Sequence, residues 1–259
     1  MFLQQISQCR AEVIASVFDP ISARMAKDIG FNYGMIGGSV VSASLIGAPD
    51  QGVLTLSELV DSVGRICGAT DLPMIVDGDS GYGSHRNTVR LVAELERAGA
   101  RAVTLEDTDI LGSMAAGQPL LIPMCVHVET LKHALVTRQS ESFGIIARTK
   151  RLTSEPFETF IRRVVGYAEA GVDAICLFDF SEFDWLERIR FAIDTPLMVI
   201  NYHLTEEQSL NEVNLLLTGH TPYQSAMASA YAALQYLKHG TAEQNPLSPQ
   251  SELVSRYCY

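Results

Sequence analysis

Short apolar segments rich in β-branched residues alternate with longer amphipathic segments along the whole chain. Eight short segments predict strands, and helical periodicity fills the gaps between them, most clearly at Thr88–Ala98, Glu155–Ala170 and Phe183–Ile193. The predicted strands are Val13–Val17, Gly34–Gly38, Met74–Asp77, Ala102–Glu106, Gly144–Arg148, Ala174–Leu177, Leu197–Ile200 and Leu215–Thr218. This cadence is typical of a (β/α)₈ TIM-type barrel, although a doubly wound open sheet would alternate in the same way.

The 259 residues hold about 32 residues per predicted βα unit. No linker, low-complexity tract or change of composition divides them, so we expect residues 1–259 to form a single barrel domain with a C-terminal helical extension.

The last predicted helix lacks a charged face. Residues Tyr223–Leu237 are small or apolar on nearly every side and contain no charge. A helix of this kind is normally buried on more than one side. Either it closes the barrel of its own chain or it packs into a neighbouring subunit, and we favour exchange between subunits.

Composition narrows the classes of partner. The chain carries 19 Lys and Arg against 30 Asp and Glu, a formal net charge of −11, and 47% of its residues are hydrophobic. The apolar content excludes intrinsic disorder, and the acidic excess argues against nucleic acid or an anionic membrane as the partner. The five cysteines form no CxxC pair, and the N-terminus lacks the pattern of a signal peptide. We therefore expect a cytoplasmic protein without membrane spans.

Charged and polar side chains follow the predicted strands at the end where barrel enzymes build their active sites. The residues at these ends are Ser39, Asp77, Asp79, Glu106, Asp107, Arg148, Asn201, Tyr202 and His220, with Asp50 in the loop after the second strand. Crowded carboxylates repel one another unless protons or a hard cation neutralise them. The set therefore favours a site for Mg²⁺, with Mn²⁺ as the alternative metal.

The most specific motif is Asp77-Gly-Asp-Ser-Gly-Tyr-Gly83, in which two carboxylates stand two residues apart among glycines that let backbone approach a ligand. With Leu105-Glu-Asp107 and Ile146-Ala-Arg148, it resembles the isocitrate lyase/phosphoenolpyruvate mutase superfamily. The similarity runs over nearly the whole chain. Gly37-Gly-Ser-Val40 and Thr218-Gly-His220 make the chain most similar to the oxaloacetate decarboxylase group.

This resemblance implies a set of roles for the strand-end residues. Asp77 would bind Mg²⁺ directly, and Asp50, Asp79 and Glu106 would hold the metal through water. The remaining implied residues contact the substrate: Ser39 and the backbone of Val40 as binding groups, and Arg148 and His220 as binding and catalytic groups. It also implies a homodimer or homotetramer that exchanges its last helix and acts on a small keto or hydroxy acid.

The reaction implied is Mg²⁺-dependent decarboxylation of oxaloacetate, or of a closely related 3-carboxy-2-keto acid, to pyruvate and CO₂ through a metal-stabilised enolate. The chain departs from the superfamily pattern between Asp107 and Pro119, where it has neither a cysteine nor a basic residue. It departs again at Lys150, which replaces a frequent asparagine. Two alternatives therefore stay open. One is a carbon–carbon lyase acting on a methylisocitrate- or dimethylmalate-type substrate, and the other is a metal-dependent metabolite-binding protein without activity.

Overall fold

The structure is a (β/α)₈ TIM-type barrel. A computed structural model describes residues 2–203 and 210–240, and the predicted C-terminal extension and Cys258 lie outside the described residues. The single-domain expectation for residues 1–259 therefore stays a prediction. Within the described residues, no helix is both long enough and apolar enough to cross a bilayer.

All strands are parallel and form one sheet in the order β1-β9-β8-β7-β6-β5-β4-β3-β2. The strands are β1 Glu12–Val13, β2 Ala15–Val17, β3 Gly34–Ile36, β4 Met74–Asp77, β5 Ala102–Glu106, β6 Gly144–Thr149, β7 Ala174–Phe178, β8 Leu197–Ile200 and β9 Leu215–Leu217. The two outer strands are halves of one segment: Ile14 N–H donates to Leu216 O at 2.9 Å, and Ala15 N–H donates to Tyr33 O at 3.0 Å. The sheet therefore returns to its own first strand, which excludes the doubly wound alternative.

Helices connect the strands, as the alternation of patterns predicts. They are α1 Phe2–Gln8, α2 Pro20–Ile29, α3 Gly38–Ile46, α4 Leu56–Gly68, α5 His85–Arg97, α6 Ile110–Ala116, α7 Met124–Thr137, α8 Phe157–Glu169, α9 Leu186–Ala192, preceded by the 3₁₀ turn Phe183–Trp185, and α10 Thr221–His239. Side chains of the sequence itself fix several helix starts. For example, Thr55 Oγ1 accepts from Glu58 N–H at 3.3 Å and Glu58 Oε2 accepts from Thr55 N–H at 2.9 Å, forming a capping box.

Two hydrophobic cores result from the alternation of side chains along each strand. One fills the barrel interior with residues such as Met35, Ile75, Ile146 and Met198, and Ile6 of α1 packs against this layer. The other core lies between the strands and the surrounding helices. Continuing the inward alternation from Ile75 and Ile146 reaches Asp77 and Arg148, so the barrel interior becomes charged at its carboxyl end.

Helix α10 differs from the other long helices because it has no buried residue. Its apolar side chains include Met227, Tyr231, Leu234 and Leu237, all of them exposed. An apolar cavity of about 390 Å³ lies near its beginning, between α2 and the first strand. The helix does not close the barrel of its own chain, so the first of the two interpretations offered for it is wrong.

Candidate active site at the carboxyl ends of the strands

A cavity of about 460 Å³ opens at the carboxyl end of the barrel. It brings together Ser39, Asp50, Asp77, Asp79, Glu106, Arg148 and His220, that is, every side chain to which the resemblance gave a role except that of Val40. Met35, Phe178, Ile200 and Leu217 form apolar parts of its wall. Four carboxylates and two cations, Arg148 and Lys150, therefore face one space.

Three of the carboxylates form a compact cluster. Asp50, Asp77 and Asp79 each offer one oxygen, and these oxygens all lie within 4.8 Å of one another. Asp77 ends β4, and Asp79 follows in the left-handed region at φ 47°. Asp50 comes from the segment after α3, and a Cβ on Gly38 would lie 3.0 Å from its Oδ2. The absence of a side chain at Gly38 therefore leaves room for Asp50.

The electrostatics of this cluster fit a divalent cation. Burial, together with the charge of Asp77, raises the pKa of Asp50 to about 6. Burial and the charges of Asp77 and Asp50 raise the pKa of Asp79 well above its usual range. These carboxylates cannot all ionise at low cost unless a counter-charge joins them. The donor set, carboxylate oxygens alone, is the one that hard divalent cations prefer.

Arg148 lies between two carboxylates from neighbouring strands. Its Nη1 is 2.6 Å from Asp77 Oδ2, and its Nη2 is 3.1 Å from Glu106 Oε2. The strand register makes Glu106 the direct neighbour of Arg148. Burial acts to lower the pKa of Arg148, but the carboxylates of Asp77 and Glu106 outweigh burial and raise it. Its guanidinium also covers the ring of Phe178, with 4.3 Å from Cζ to the ring centroid.

His220 enters the cavity from the start of α10, where it is the N-cap residue. Its Nδ1 lies 2.7 Å from Ser16 Oγ. A Cβ on Gly37 would come within 2.7 Å of His220 Cε1, so the ring fills the space that this glycine leaves. Burial lowers the pKa of His220, although the charge of Asp77 acts to raise it.

Ser39 and Val40 lie in the first turn of α3, whereas the sequence pattern placed the preceding strand as far as Gly38. The helix begins at Gly38, and its N-cap Gly37 has no side chain with which to cap it. Ser39 lines the cavity, whereas the Val40 side chain is buried away from it. The first N–H groups of a helix have no intrahelical acceptor, so the backbone N–H of Val40 is available to an anion.

Asp107 does not join the acidic cluster, contrary to the expectation from its place at a strand end. It is fully buried, and its Oδ2 accepts hydrogen bonds from Thr149 Oγ1 and Tyr167 O–H, each at 2.7 Å. Arg163 Nε lies 3.3 Å from the same oxygen. The reason is alternation: Glu106 faces the barrel interior, so the next residue faces the surrounding helices.

The sequence reasoning missed several residues of the cavity wall. Lys150 and Phe178 share the inward face of their strands with Arg148 and Cys176, so the period of two along each strand was the available signal. Tyr202, which the sequence did place at a strand end, follows β8 and lines the cavity, and burial raises its pKa to about 12. Two further lining residues, Ile110 and Met114, belong to α6, in the segment where the chain departs from the superfamily pattern.

A protein-family model matches nearly the whole of the chain. The sequence model described as phosphoenolpyruvate phosphomutase matches residues 3–238. The chain belongs to this family. A crystal structure of phosphoenolpyruvate phosphomutase from Streptomyces platensis subsp. rosaceus is 26% identical with a TM-score of 0.85, and the match covers 98% of this chain and 92% of that one. The resemblance seen in the sequence motifs is confirmed.

The curated relatives are more similar in sequence. Oxaloacetate decarboxylase 2 of Pseudomonas putida (strain W619) is 40% identical over 248 residues, which cover 94% of this chain and 81% of the relative. Oxaloacetate decarboxylase of Chromohalobacter salexigens is also 40% identical over 248 residues, covering 94% of this chain and 85% of that protein. The enzyme class inferred from the sequence, a carbon–carbon lyase of the oxaloacetate decarboxylase type, is confirmed at the level of this family.

Proposed function

We propose that the chain decarboxylates oxaloacetate, or a closely related 3-carboxy-2-keto acid, to pyruvate and CO₂. The observation that carries this proposal is the arrangement of Arg148, which is held by Asp77 and Glu106 beside the cluster of Asp50, Asp77 and Asp79. It places a fixed cation next to a site suited to a divalent metal, within a cavity large enough for a small dicarboxylic acid. The 40% identity to proteins named oxaloacetate decarboxylase supports the same reaction.

The metal of this proposal is Mg²⁺, with Mn²⁺ as the alternative. Asp77 would bind it directly, while Asp50, Asp79 and Glu106 would hold it through water. When bound, the metal supplies a Lewis acid that stabilises the negative charge of an enolate. Of the two cations that line the cavity only Arg148 is paired with its four carboxylates, so a divalent ion would offset charge that the protein leaves unpaired.

The chain's own residues would orient the substrate and handle its proton. Ser39 and the N–H of Val40 would bind the C1 carboxylate and the C2 oxygen, and Arg148 would fix the orientation of the acid. The C3–C4 bond breaks, its electron pair forms the enolate, and C4 leaves as CO₂. His220, whose Nδ1 lies 2.7 Å from Ser16 Oγ, would deliver a proton to C3 as the imidazolium, giving pyruvate and the neutral imidazole, which takes up a proton from solvent before the next turnover.

A second candidate function is metal-dependent binding of a metabolite without turnover. Helix α6 favours it, because this helix has no charged residue and places Ile110 and Met114 on the cavity. A screen of keto and hydroxy acids of three to six carbons, each with and without Mg²⁺, separates the candidates. Pyruvate formed from oxaloacetate supports the decarboxylase, cleavage of a 2-hydroxy dicarboxylate supports the C–C lyase, and oxalate binding with no turnover supports the second candidate.

We also propose that the enzyme is a homodimer or homotetramer that exchanges α10 between subunits. Support comes from the exposed apolar side chains of this helix and from the apolar cavity beside its first turn. The helix from a second copy would bury both surfaces at once.

A location in the cytoplasm remains a prediction. The four described cysteines, Cys9, Cys67, Cys125 and Cys176, are free thiols.

A further inference from the structure

Lys150 follows β6 and faces the same cavity as Arg148. The two residues are two positions apart, so their side chains lie on the same face, with Lys150 nearer the mouth of the barrel. Thr149 between them faces outward and donates to Asp107 Oδ2 at 2.7 Å. The backbone at Lys150 is held as well, because Arg163 Nη2 donates to the Lys150 carbonyl at 2.9 Å. The base of the lysine is therefore fixed while its side chain points into the cavity.

Unlike Arg148, Lys150 makes no ion pair with any carboxylate of residues 2–203 and 210–240. The acids Asp77 and Glu106 are bound to Arg148 in the layer below. The Nζ of Lys150 lies 5.9 Å from the centroid of the Phe178 ring, the same ring that Arg148 covers. Of the two cations that line the cavity, Lys150 is thus the one that no carboxylate of the described residues pairs with.

We propose that Lys150 binds the substrate carboxylate that is remote from the metal, and that it selects dicarboxylic keto acids over monocarboxylic ones. The inference rests on the proposed function, which places the C1 carboxylate and C2 oxygen against Ser39 and the N–H of Val40, beside the proposed metal site. The C4 carboxylate then points towards the mouth, where Lys150 lies. The Lys150 ammonium suits this role, because it is a compact charge on a flexible chain of four methylene groups and can adjust to the position of the carboxylate.

The position of this charge has a kinetic consequence. The C4 carboxylate loses its negative charge when CO₂ leaves, so a cation bound to it stabilises the substrate more than the transition state. Lys150 therefore lowers KM without raising kcat. Loss of an interaction made only in the transition state would instead lower kcat and leave KM unchanged.

The test is steady-state kinetics on oxaloacetate at saturating Mg²⁺ for Lys150→Met, Lys150→Arg and the surface control Lys132→Met. We expect Lys150→Met to raise KM about tenfold or more, as for loss of a hydrogen bond to a charged group. Its kcat should stay within about threefold of wild type or rise. Lys150→Arg should recover most of the KM, and Lys132→Met should match wild type. An unchanged KM, or an equal fall in kcat for Lys150→Met and Lys150→Arg, overturns the proposal.

Oxalate serves as the matched ligand, because its two adjacent carboxylates would take the places of the C1 carboxylate and the C2 oxygen, and it has no group that corresponds to the C4 carboxylate. Its Mg²⁺-dependent dissociation constant should change by less than about threefold in Lys150→Met. A larger change means that Lys150 acts on the metal site and overturns the proposal. If wild type does not decarboxylate oxaloacetate, the proposed function is wrong. The same variants are then compared by the ratio of oxaloacetate to oxalate dissociation constants, and a ratio unaffected by Lys150→Met overturns the role of Lys150 separately.

Discussion

The Nη1 of Arg148 donates to Oδ2 of Asp77 across 2.6 Å, joining the ends of two strands that are not adjacent in the sheet. Strand β5 lies between them and contributes Glu106, which takes the second nitrogen of the same guanidinium. One arginine thus fixes two of the proposed metal-site carboxylates. Because the guanidinium offsets part of their charge, it lowers the cost of burying the two carboxylates.

Removal of this arginine is expected to destabilise the metal-free protein. In Arg148→Met, Asp77 and Glu106 keep their burial but lose their cation, so the free energy of unfolding should fall by about 3–5 kcal/mol. Urea denaturation in the absence of metal measures this loss of unfolding free energy. The matched control is Arg65→Met, which breaks the exposed pair with Asp61 and should cost less than about 1 kcal/mol. Equal losses in the two variants would contradict the account.

Gly37→Ala is expected to impair turnover by displacing His220. The added Cβ would lie 2.7 Å from His220 Cε1, which is closer than carbon atoms approach, so the ring must move away from Ser16. We expect kcat for oxaloacetate to fall at least tenfold, the scale of a misplaced general acid, with Mg²⁺ affinity within about threefold. Gly64→Ala is the control: its nearest new contact is Ala98 Cβ at 4.0 Å, so kcat should not change. A Gly37→Ala enzyme with wild-type kcat would remove the role assigned to His220.

The buried His127 is expected to make the fold sensitive to acid. Burial lowers its pKa in the folded protein from 6.5 to about 4, and its ring packs edge-on against Tyr167. Since the folded pKa lies below the unfolded one, this contribution to stability is complete above pH 6.5 and is lost as pH falls towards 4. The loss amounts to about 3 kcal/mol. Unfolding free energies between pH 4 and 7 should fall less steeply for His127→Phe than for wild type, whereas the exposed control His133→Gln should follow wild type.

The exchange of α10 predicts that the mass in solution depends on this helix. Leu234 is 65% exposed in the single chain, and Leu234→Asp should place a charge in the proposed interface. We expect light scattering to give a multiple of the chain mass for wild type and a smaller mass for Leu234→Asp. Val136→Asp, at a position 87% exposed on α7, is the control and should keep the wild-type mass. A wild-type monomer at micromolar concentration would contradict the exchange.

The sequence predicted the strands and their functional ends well, because inward alternation is a local property. The ends of β4 and β5 at Asp77 and Glu106 lie where the pattern placed them. The same rule, applied one residue beyond Glu106 and two beyond Arg148, would have turned Asp107 outward and Lys150 inward. Both were instead judged by their place in a motif, without regard to the face of the strand.

Other features depend on contacts that a pattern does not contain. Helix α6 has no apolar periodicity directed at a core, and it is defined by its ends: Asp109 Oδ1 accepts from Gly112 N–H at 2.9 Å, and Gly117 closes it in the left-handed conformation. Asp50 and Asp77 are 27 residues apart in the sequence, and the fold brings their side chains together. Such distances follow only from the closed barrel.

The most direct test of the central claim is the rate of pyruvate formation from oxaloacetate by wild type and Asp77→Ala, each with and without Mg²⁺. A protein-free solution at the same Mg²⁺ concentration gives the background. The account predicts that wild type exceeds this background only with Mg²⁺, and that Asp77→Ala loses at least a hundredfold in kcat/KM because the direct metal ligand is gone. Wild-type activity that needs no divalent cation, or an Asp77→Ala enzyme as active as wild type, would contradict it.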